Sequence, residues 1–293
     1  PGDPEQVIYV WFDALINYLT GIGYGWDDAL FAKYWPADLH LMAKDIIKFH
    51  CALWPAMLMS AGIPLPERVF ATGFFTIDGQ KMGKSLGNAI DPVEIAKTHG
   101  LDAFRYFLCR EIPFGGDGDF SNERFTQRYE SDLAKGVGNF VSRVLAMALL
   151  RPSGYGAAGP DGNRDSSVQE RVRETWQEYE DAFERTRPDE ALEAAWRLIS
   201  FGDKYIEDKK PWVILKNDKE AYTEVMGTLL ELVRQVSTLL YPFMPETSMK
   251  IWRQLGIEAQ QKELYLATLK EWGAVPITNI QRGDPLFPLT PNP

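Results

Sequence analysis

Cysteine is nearly absent: the 293 residues hold two, Cys51 and Cys109. Both lie in apolar helical contexts with neither metal-ligand spacing nor a disulfide framework, so both are expected to be buried, reduced thiols in a reducing compartment. Long apolar runs are missing too. None approaches the roughly 20 residues that span a bilayer, and no N-terminal cationic-then-apolar segment marks export. Positive charge is in deficit, with 31 Lys and Arg against 41 Asp and Glu and a net charge of −10. Proteins that coat nucleic acid without selectivity are usually basic, so a nucleic-acid partner must be met by a local site. The chain starts Pro1-Gly2-Asp3-Pro4, without an initiator methionine, and almost at once enters the strand-like run Val7 to Val10. That start is expected of a piece of a longer protein.

What is present divides into two regimes. Val7 to Val10 has the look of a buried strand, Phe12 to Leu19 of a short helix and Leu39 to Met42 of a second strand. A helix over Asp45 to Ala61, kinked at Pro55, follows, and then a strand over Val69 to Ile77. Strands alternating with helices predict an α/β sheet with parallel neighbours. Asp91 with Pro92 predicts a capped helix start, and a further helix begins at Leu101. The glycine-rich link Pro113 to Gly118 marks a boundary. From Ser121 the period is helical throughout, first as one long helix to Leu150. Its ladder of Leu133, Val137, Phe140, Val141, Val144, Leu145 and Ala148 keeps three-and-four spacing. Gly154 to Gly162 is a polar loop. Helices follow at about 167–187, 189–209, 221–240 and 245–255, and a short regular piece at 264–269. The expectation is α/β followed by all-α, with an antiparallel helix bundle.

The chemistry begins at Lys81-Met82-Gly83-Lys84-Ser85. Two lysines three residues apart on a glycine-containing loop can place two cations on one polyphosphate, and Asp78-Gly79 just before them is a hairpin-turn signal. A Walker loop is excluded by spacing. It needs four residues between its first glycine and Gly-Lys-Ser, whereas only Gln80, Lys81 and Met82 separate Gly79 from Gly83. Leu86-Gly87-Asn88 is also a poor start for a phosphate-binding helix.

With its neighbours the motif acquires a family likeness. Lys81-Met82-Gly83-Lys84-Ser85 resembles the Lys-Met-Ser-Lys-Ser loop of class I aminoacyl-tRNA synthetases. The segment Tyr9-Val10-Trp11-Phe12-Asp13-Ala14-Leu15-Ile16-Asn17-Tyr18 resembles the amino-acid pocket of the methionyl-tRNA synthetase family. Lys44-Asp45-Ile46-Ile47-Lys48-Phe49-His50, followed by Trp54-Pro55-Ala56, and Gly100-Leu101-Asp102-Ala103-Phe104-Arg105-Tyr106 fit the same family. The likeness runs in continuous order from about Ile8 to Pro242.

Trp11, Ala14 or Leu15, and Tyr18 share a helix face by spacing, and Ile46 and His50 do the same one turn apart. Aromatic edges over a small apolar floor suit a polarizable thioether, although Ala14, Leu15 and Ile46 would serve almost as well as plain core. The resemblance implies a methionine site lined by Trp11, Ala14, Leu15, Tyr18, Ile46 and His50. It also implies Asp45 as acceptor for the ribose hydroxyls of ATP, and Lys81 and Lys84 as the ATP-binding, catalytic cations. In the helical half, Asn139 and Arg143 project together one turn apart, and Trp212 follows Pro211 at a helix break. An amide, a guanidinium and an indole can read unstacked RNA bases, and the resemblance makes them readers of the methionine tRNA anticodon. Taken singly, Trp212 is equally a core tryptophan and Arg143 a surface ion pair.

Gly83 stands where the family has serine, and Ala43 where it often has glycine. No His-x-Gly-His occurs, and the family's insertion, often carrying zinc-binding cysteines, is absent. The resemblance therefore implies the C-terminal half of a class I Rossmann-like catalytic domain over 1–72. A lysine-loop and stem-contact region over 73–118, an anticodon-binding bundle over 119–256 and a tail over 257–293 follow it. Expected partners are ATP with Mg²⁺, methionine, methionine tRNA and the missing N-terminal catalytic half. No zinc site, no other metal site and no membrane are expected, and the setting is cytoplasmic. The competing readings are a non-catalytic anticodon-binding module and a class I enzyme for valine, isoleucine, leucine or cysteine, the latter disfavoured by the Trp11 to Tyr18 segment.

Overall fold

A computed structural model describes residues 2–77, 79–82, 90–150, 165–257 and 266–289. The chain forms two units, Pro1–Phe75 with Gly115–Gly118, and Thr76–Phe114 with Asp119–Pro293.

In the first unit, α1 (Val10–Thr20) buries Leu15 and Leu19. The carboxylate of Asp27 accepts from the Leu30 N–H at 3.0 Å and caps α2 (Asp28–Tyr34). β1 (His40–Ala43) lies parallel to β2 (Val69–Thr72), with His40 opposite Val69 and Ala43 opposite Thr72. The crossover between them holds a 3-10 turn over Lys44–Ile46, a π-wound turn over Phe49–Leu53 and α3 (Trp54–Ala61). This is the strand–helix–strand unit that parallel pairing requires. Pro55 sits in the first turn of α3, where its missing N–H costs nothing. The expected kink appears instead as the wide π turn just before it. Leu15, Leu19, Trp35, Trp54 and Leu58 form the core.

Three expectations change here. The run Val7 to Val10 is not a buried strand. Val7 is 92% and Ile8 71% exposed, no strand among the described residues pairs with it, and Val10 already belongs to α1. An apolar run becomes a strand only where a ladder partner accepts it. The strand expected over Val69 to Ile77 breaks at Gly73-Phe74. A Cβ on Gly73 would lie 2.0 Å from the Gly116 carbonyl oxygen, so two backbones meet where only glycine fits. Cys51 is exposed, not buried. It occupies the outer side of the π turn whose inner side carries His50.

In the second unit, β3 (Phe75–Ile77) and β4 (Gln80–Lys81) form an antiparallel hairpin, with Thr76 opposite Lys81 and Ile77 opposite Gln80. β5 (Gly118–Phe120) flanks β3 on its other side. The Asp91 carboxylate accepts from the Val93 N–H at 2.8 Å and caps α4 (Pro92–His99), which α5 (Leu101–Glu111) follows. The chain from Ser121 to Leu150 is not one straight helix. It comprises α6 (Asn122–Arg128), a π-wound stretch over Tyr129–Gly138 and α7 (Asn139–Ala148), with Gly136 at φ −85°, ψ −105°. Glycine has the backbone freedom to leave the helical basin there, and a ladder of apolar residues does not report that break. The ladder still works as one face: Leu133, Val137, Phe140, Val141, Val144, Leu145 and Ala148 are all buried. Each large side chain among them contributes about 1.5–3 kcal/mol relative to exposure.

α8 (Ser166–Glu184) folds back through a short turn onto α9 (Pro188–Lys209), where Arg197 meets Glu178 at 2.5 Å. Lys210, at φ +48°, ends α9, and α10 (Pro211–Asn217) starts at once. Trp212 thus stands in the first turn of a short helix that the sequence reading did not anticipate. α11 (Lys219–Leu240) is the buried centre of this unit, and α12 (Pro245–Gln254) and α13 (Leu266–Leu269) follow. On α11 the buried Arg234 and Glu231 pair at 2.9 and 2.5 Å. Arg234 also donates to the carbonyls of Leu269 and Glu271 at 2.6 and 2.8 Å, and Glu231 accepts from the Gly273 N–H at 2.8 Å. The pair thereby fixes the segment after α13 on the helix. The loop expected over Gly154 to Gly162 lies outside the described residues.

Candidate functional site

The first site is built on α1 and on the two irregular turns of the crossover. Tyr18 on α1 and His50 on the π turn meet at 3.0 Å, hydroxyl to Nε2. His50 Nδ1 lies 3.1 Å from the Ile46 carbonyl oxygen. A carbonyl only accepts, so Nδ1 donates to it, and Nε2 is the ring atom that meets the Tyr18 hydroxyl. Trp11 stands edge-on to His50, with ring centroids 6.1 Å apart at 75°, and stacks on Phe49 at 4.3 Å and 14°. His50 is 1% exposed, whereas Tyr18 is 38% exposed, so the pair joins the core to an open face. Ala14 is exposed, Ile46 half-buried and Leu15 part of the apolar core. Asp45 is exposed on the 3-10 turn, one residue before Ile46.

Two further residues of this unit escape sequence reasoning. His40, at the start of β1, lies under Tyr18 with ring centroids 4.4 Å apart, and its Nε2 accepts from Trp54 Nε1 at 3.1 Å. Burial, reinforced by His50 nearby, lowers its pKa. Its only sequence sign is that it shares a strand face with Met42, and both are buried. Asp117 receives Lys44 Nζ at 2.6 and 2.7 Å and the Phe74 N–H at 2.8 Å. Those donors, Lys44 foremost, hold its carboxyl below the ordinary range. A contact spanning 73 residues leaves no local pattern.

Of the lysine motif, the structure describes the backbone of Lys81, paired with Thr76 on β3. Asp78, Gly83 and Lys84 lie outside the described residues.

The second site lies on the helical unit. Asn139 is exposed at the start of α7. One turn on, Arg143 spans Asp203 at 3.0 Å and Glu207 at 2.5 Å, both on α9. Burial raises the Asp203 carboxyl pKa against the opposing pull of Arg143. Two carboxylates hold the guanidinium plane, which keeps about a third of its side chain exposed. Trp212 is 42% exposed. α9 ends two residues after Glu207 and Trp212 opens α10, so Arg143 and Trp212 serve the same end of the helical unit.

Among the described residues, no group of three or more His, Cys, Asp or Glu could hold a metal ion. No helix among them is long and apolar enough to cross a membrane.

Residues 1–145 match the family description "tRNA synthetases class I (M)", and residues 155–275 match "Anticodon binding domain of methionyl tRNA ligase". The chain is 46% identical over 292 residues to a methionine–tRNA ligase of Thermotoga maritima, covering 97% of this chain and 45% of that protein. With a methionine–tRNA ligase of Halalkalibacterium halodurans it shares 44% identity, covering 98% of this chain and 44% of the relative. It therefore spans less than half the length of these curated relatives. The structure of Mycobacterium tuberculosis methionyl-tRNA synthetase in complex with methionyl-adenylate superposes with a TM-score of 0.87 at 39% identity, covering 98% of this chain and 57% of the other. The apo form of that enzyme gives 0.85 at 37%, covering 100% and 58%. The two matches follow one another along the chain, and the curated relatives are 44–46% identical over nearly all of it: the chain belongs to the class I methionyl-tRNA synthetase family.

Proposed function

We propose that this chain is part of a methionine–tRNA ligase, holding part of the adenylation site on its α/β unit and an anticodon reader on its helical unit. The observation that carries this reading is the hydrogen bond between Tyr18 and His50, with Trp11 edge-on beside it, inside the segment that matches the family. The His50 and Tyr18 rings, joined by their hydrogen bond, offer an aromatic wall. Such a wall accepts a thioether and gives a charged side chain no partner. Trp11, Ala14, Leu15 and Ile46 complete the methionine site.

In the first step a methionine carboxylate oxygen attacks the α-phosphorus of ATP. The bond to the β-phosphate bridging oxygen breaks, and pyrophosphate leaves with its electron pair. In the second step a terminal ribose hydroxyl of the tRNA attacks the activated carbonyl, loses its proton and displaces AMP. Asp45, exposed and acceptor-only, fits the ribose hydroxyls of ATP. Lys84, with Lys81, neutralises charge on the β- and γ-phosphates as pyrophosphate departs. Mg²⁺ enters as the counterion of ATP, bound to its phosphates. Asn139, Arg143 and Trp212 receive the unstacked anticodon bases of methionine tRNA, the first two by edge hydrogen bonds and the indole by stacking. The expected setting is the cytoplasm, in keeping with the free thiols Cys51 and Cys109.

In the full-length protein, Lys84→Ala lowers methionine-dependent ATP–pyrophosphate exchange by roughly 10²–10³, as removal of a preorganised charge does elsewhere. Exchange near the wild-type rate would refute the assignment. Since no His-x-Gly-His is present in this chain, the isolated chain forms no methionyl adenylate and still binds tRNA through the helical unit.

A further inference from the structure

One carboxylate ties together the base of the lysine hairpin. Asp119 on β5 accepts two hydrogen bonds at the same oxygen, Oδ1. One comes from the Thr76 hydroxyl at 2.6 Å and the other from the Gly79 N–H at 2.7 Å. Thr76 is the β3 residue opposite Lys81. Gly79 occupies the turn at φ +74°, directly before β4. We propose that Asp119 is a positioning residue for adenylation, fixing the register of the hairpin whose second strand, β4, opens the lysine motif. The inference rests on the role given above to those lysines.

The size of the hairpin argues for it. β4 is two residues long and stands at the edge of its sheet, with β3 as its neighbour. Two ladder pairs are marginal in water, and a short hairpin with weak specification is prone to slip register. A slip of one residue would replace the Thr76–Lys81 pairing and reverse the faces of the ribbon. The Asp119 bonds oppose that slip, because they grip a strand residue and a turn residue together. They are charge-assisted, roughly twice as strong as neutral ones. The carboxyl accordingly sits below its ordinary range, through the Thr76 hydroxyl first and the Gly79 N–H second. A carboxylate suits this place because its charge strengthens both bonds, which an uncharged amide oxygen in the same position would not do.

The test is steady-state ATP–pyrophosphate exchange by the full-length protein carrying Asp119→Asn, Thr76→Val or Thr76→Ser. Asp119→Asn and Thr76→Val are expected to lower kcat by about tenfold to a hundredfold, the effect of slight misplacement of a catalytic group. The methionine KM is expected to stay unchanged, the signature of an interaction needed only in the transition state. Thr76→Ser, which keeps the hydroxyl donor, retains the wild-type kcat. Wild-type kcat in Asp119→Asn, or equal rates in Thr76→Ser and Thr76→Val, overturns the inference. So does a loss shared between kcat, methionine affinity and melting temperature, because that is general destabilisation. If the unmutated protein shows no methionine-dependent exchange, the functional reading itself fails, before any variant is compared.

Discussion

Gly202 on α9 faces the ring of Phe140 on α7 so closely that a Cβ at position 202 would lie 2.6 Å from the ring atoms Cε2 and Cζ. Phe140 is fully buried and has no room to retreat. Gly202→Ala therefore sets two effects against each other. Helix propensity favours alanine by about 1 kcal/mol, whereas overpacking a closed core costs about 1–3 kcal/mol. The clash is expected to win, and a urea midpoint below wild type is the measurement. Adding Phe140→Leu to Gly202→Ala should recover part of the loss, since the two positions share one contact.

In the proposed methionine site, the Tyr18 hydroxyl joins α1 to the π turn through His50. Tyr18→Phe keeps the ring against His40 and removes the bond to His50. A net hydrogen bond contributes about 0.5–1.5 kcal/mol, so the methionine KM of the full-length protein should rise by about two- to tenfold. An unchanged KM would separate the hydroxyl from substrate recognition.

His40 makes the first unit sensitive to mild acid. Its pKa is lowered below the ordinary 6.5 by burial and by His50. The unfolded chain therefore takes up a proton near pH 6.5 while the folded one does not, and stability falls as pH drops below that value. Protonation would also break the bond from Trp54, because Nε2 would no longer accept. Hydrogen exchange of peptides covering α3 should accelerate between pH 7 and pH 5 beyond the intrinsic pH effect. His40→Gln, which keeps an acceptor for the indole and does not titrate, should remove that excess.

Trp212 gives the most direct test of the proposed anticodon reader. Stacking of one base on an aromatic ring is worth about 1–3 kcal/mol, so Trp212→Ala should weaken methionine tRNA binding by roughly 5- to 150-fold. With 42% of Trp212 exposed, the melting temperature should move little. A large fall in melting temperature with intact tRNA affinity would return Trp212 to the core.

Much of this protein is legible in its residues because the determining interactions are local. The Asp91 cap, helices α8, α9, α11 and α12 and the buried face of α7 follow from spacing and side-chain chemistry within a few turns. So does the turn before Lys81, and so does the family likeness, which is carried by contiguous motifs. The tertiary structure decided what depends on distant partners. It denied Val7 to Val10 a strand neighbour, ended β2 where Gly73 meets Gly116, and bent the chain at Gly136. It placed His40 beneath Tyr18, and joined Asp117 to Lys44 and Asp119 to Thr76 across more than 40 residues. A sequence states what each residue can offer to its near neighbours. Which acceptor a buried donor finds, and which backbone can approach another, is settled only when remote segments compete for the same space.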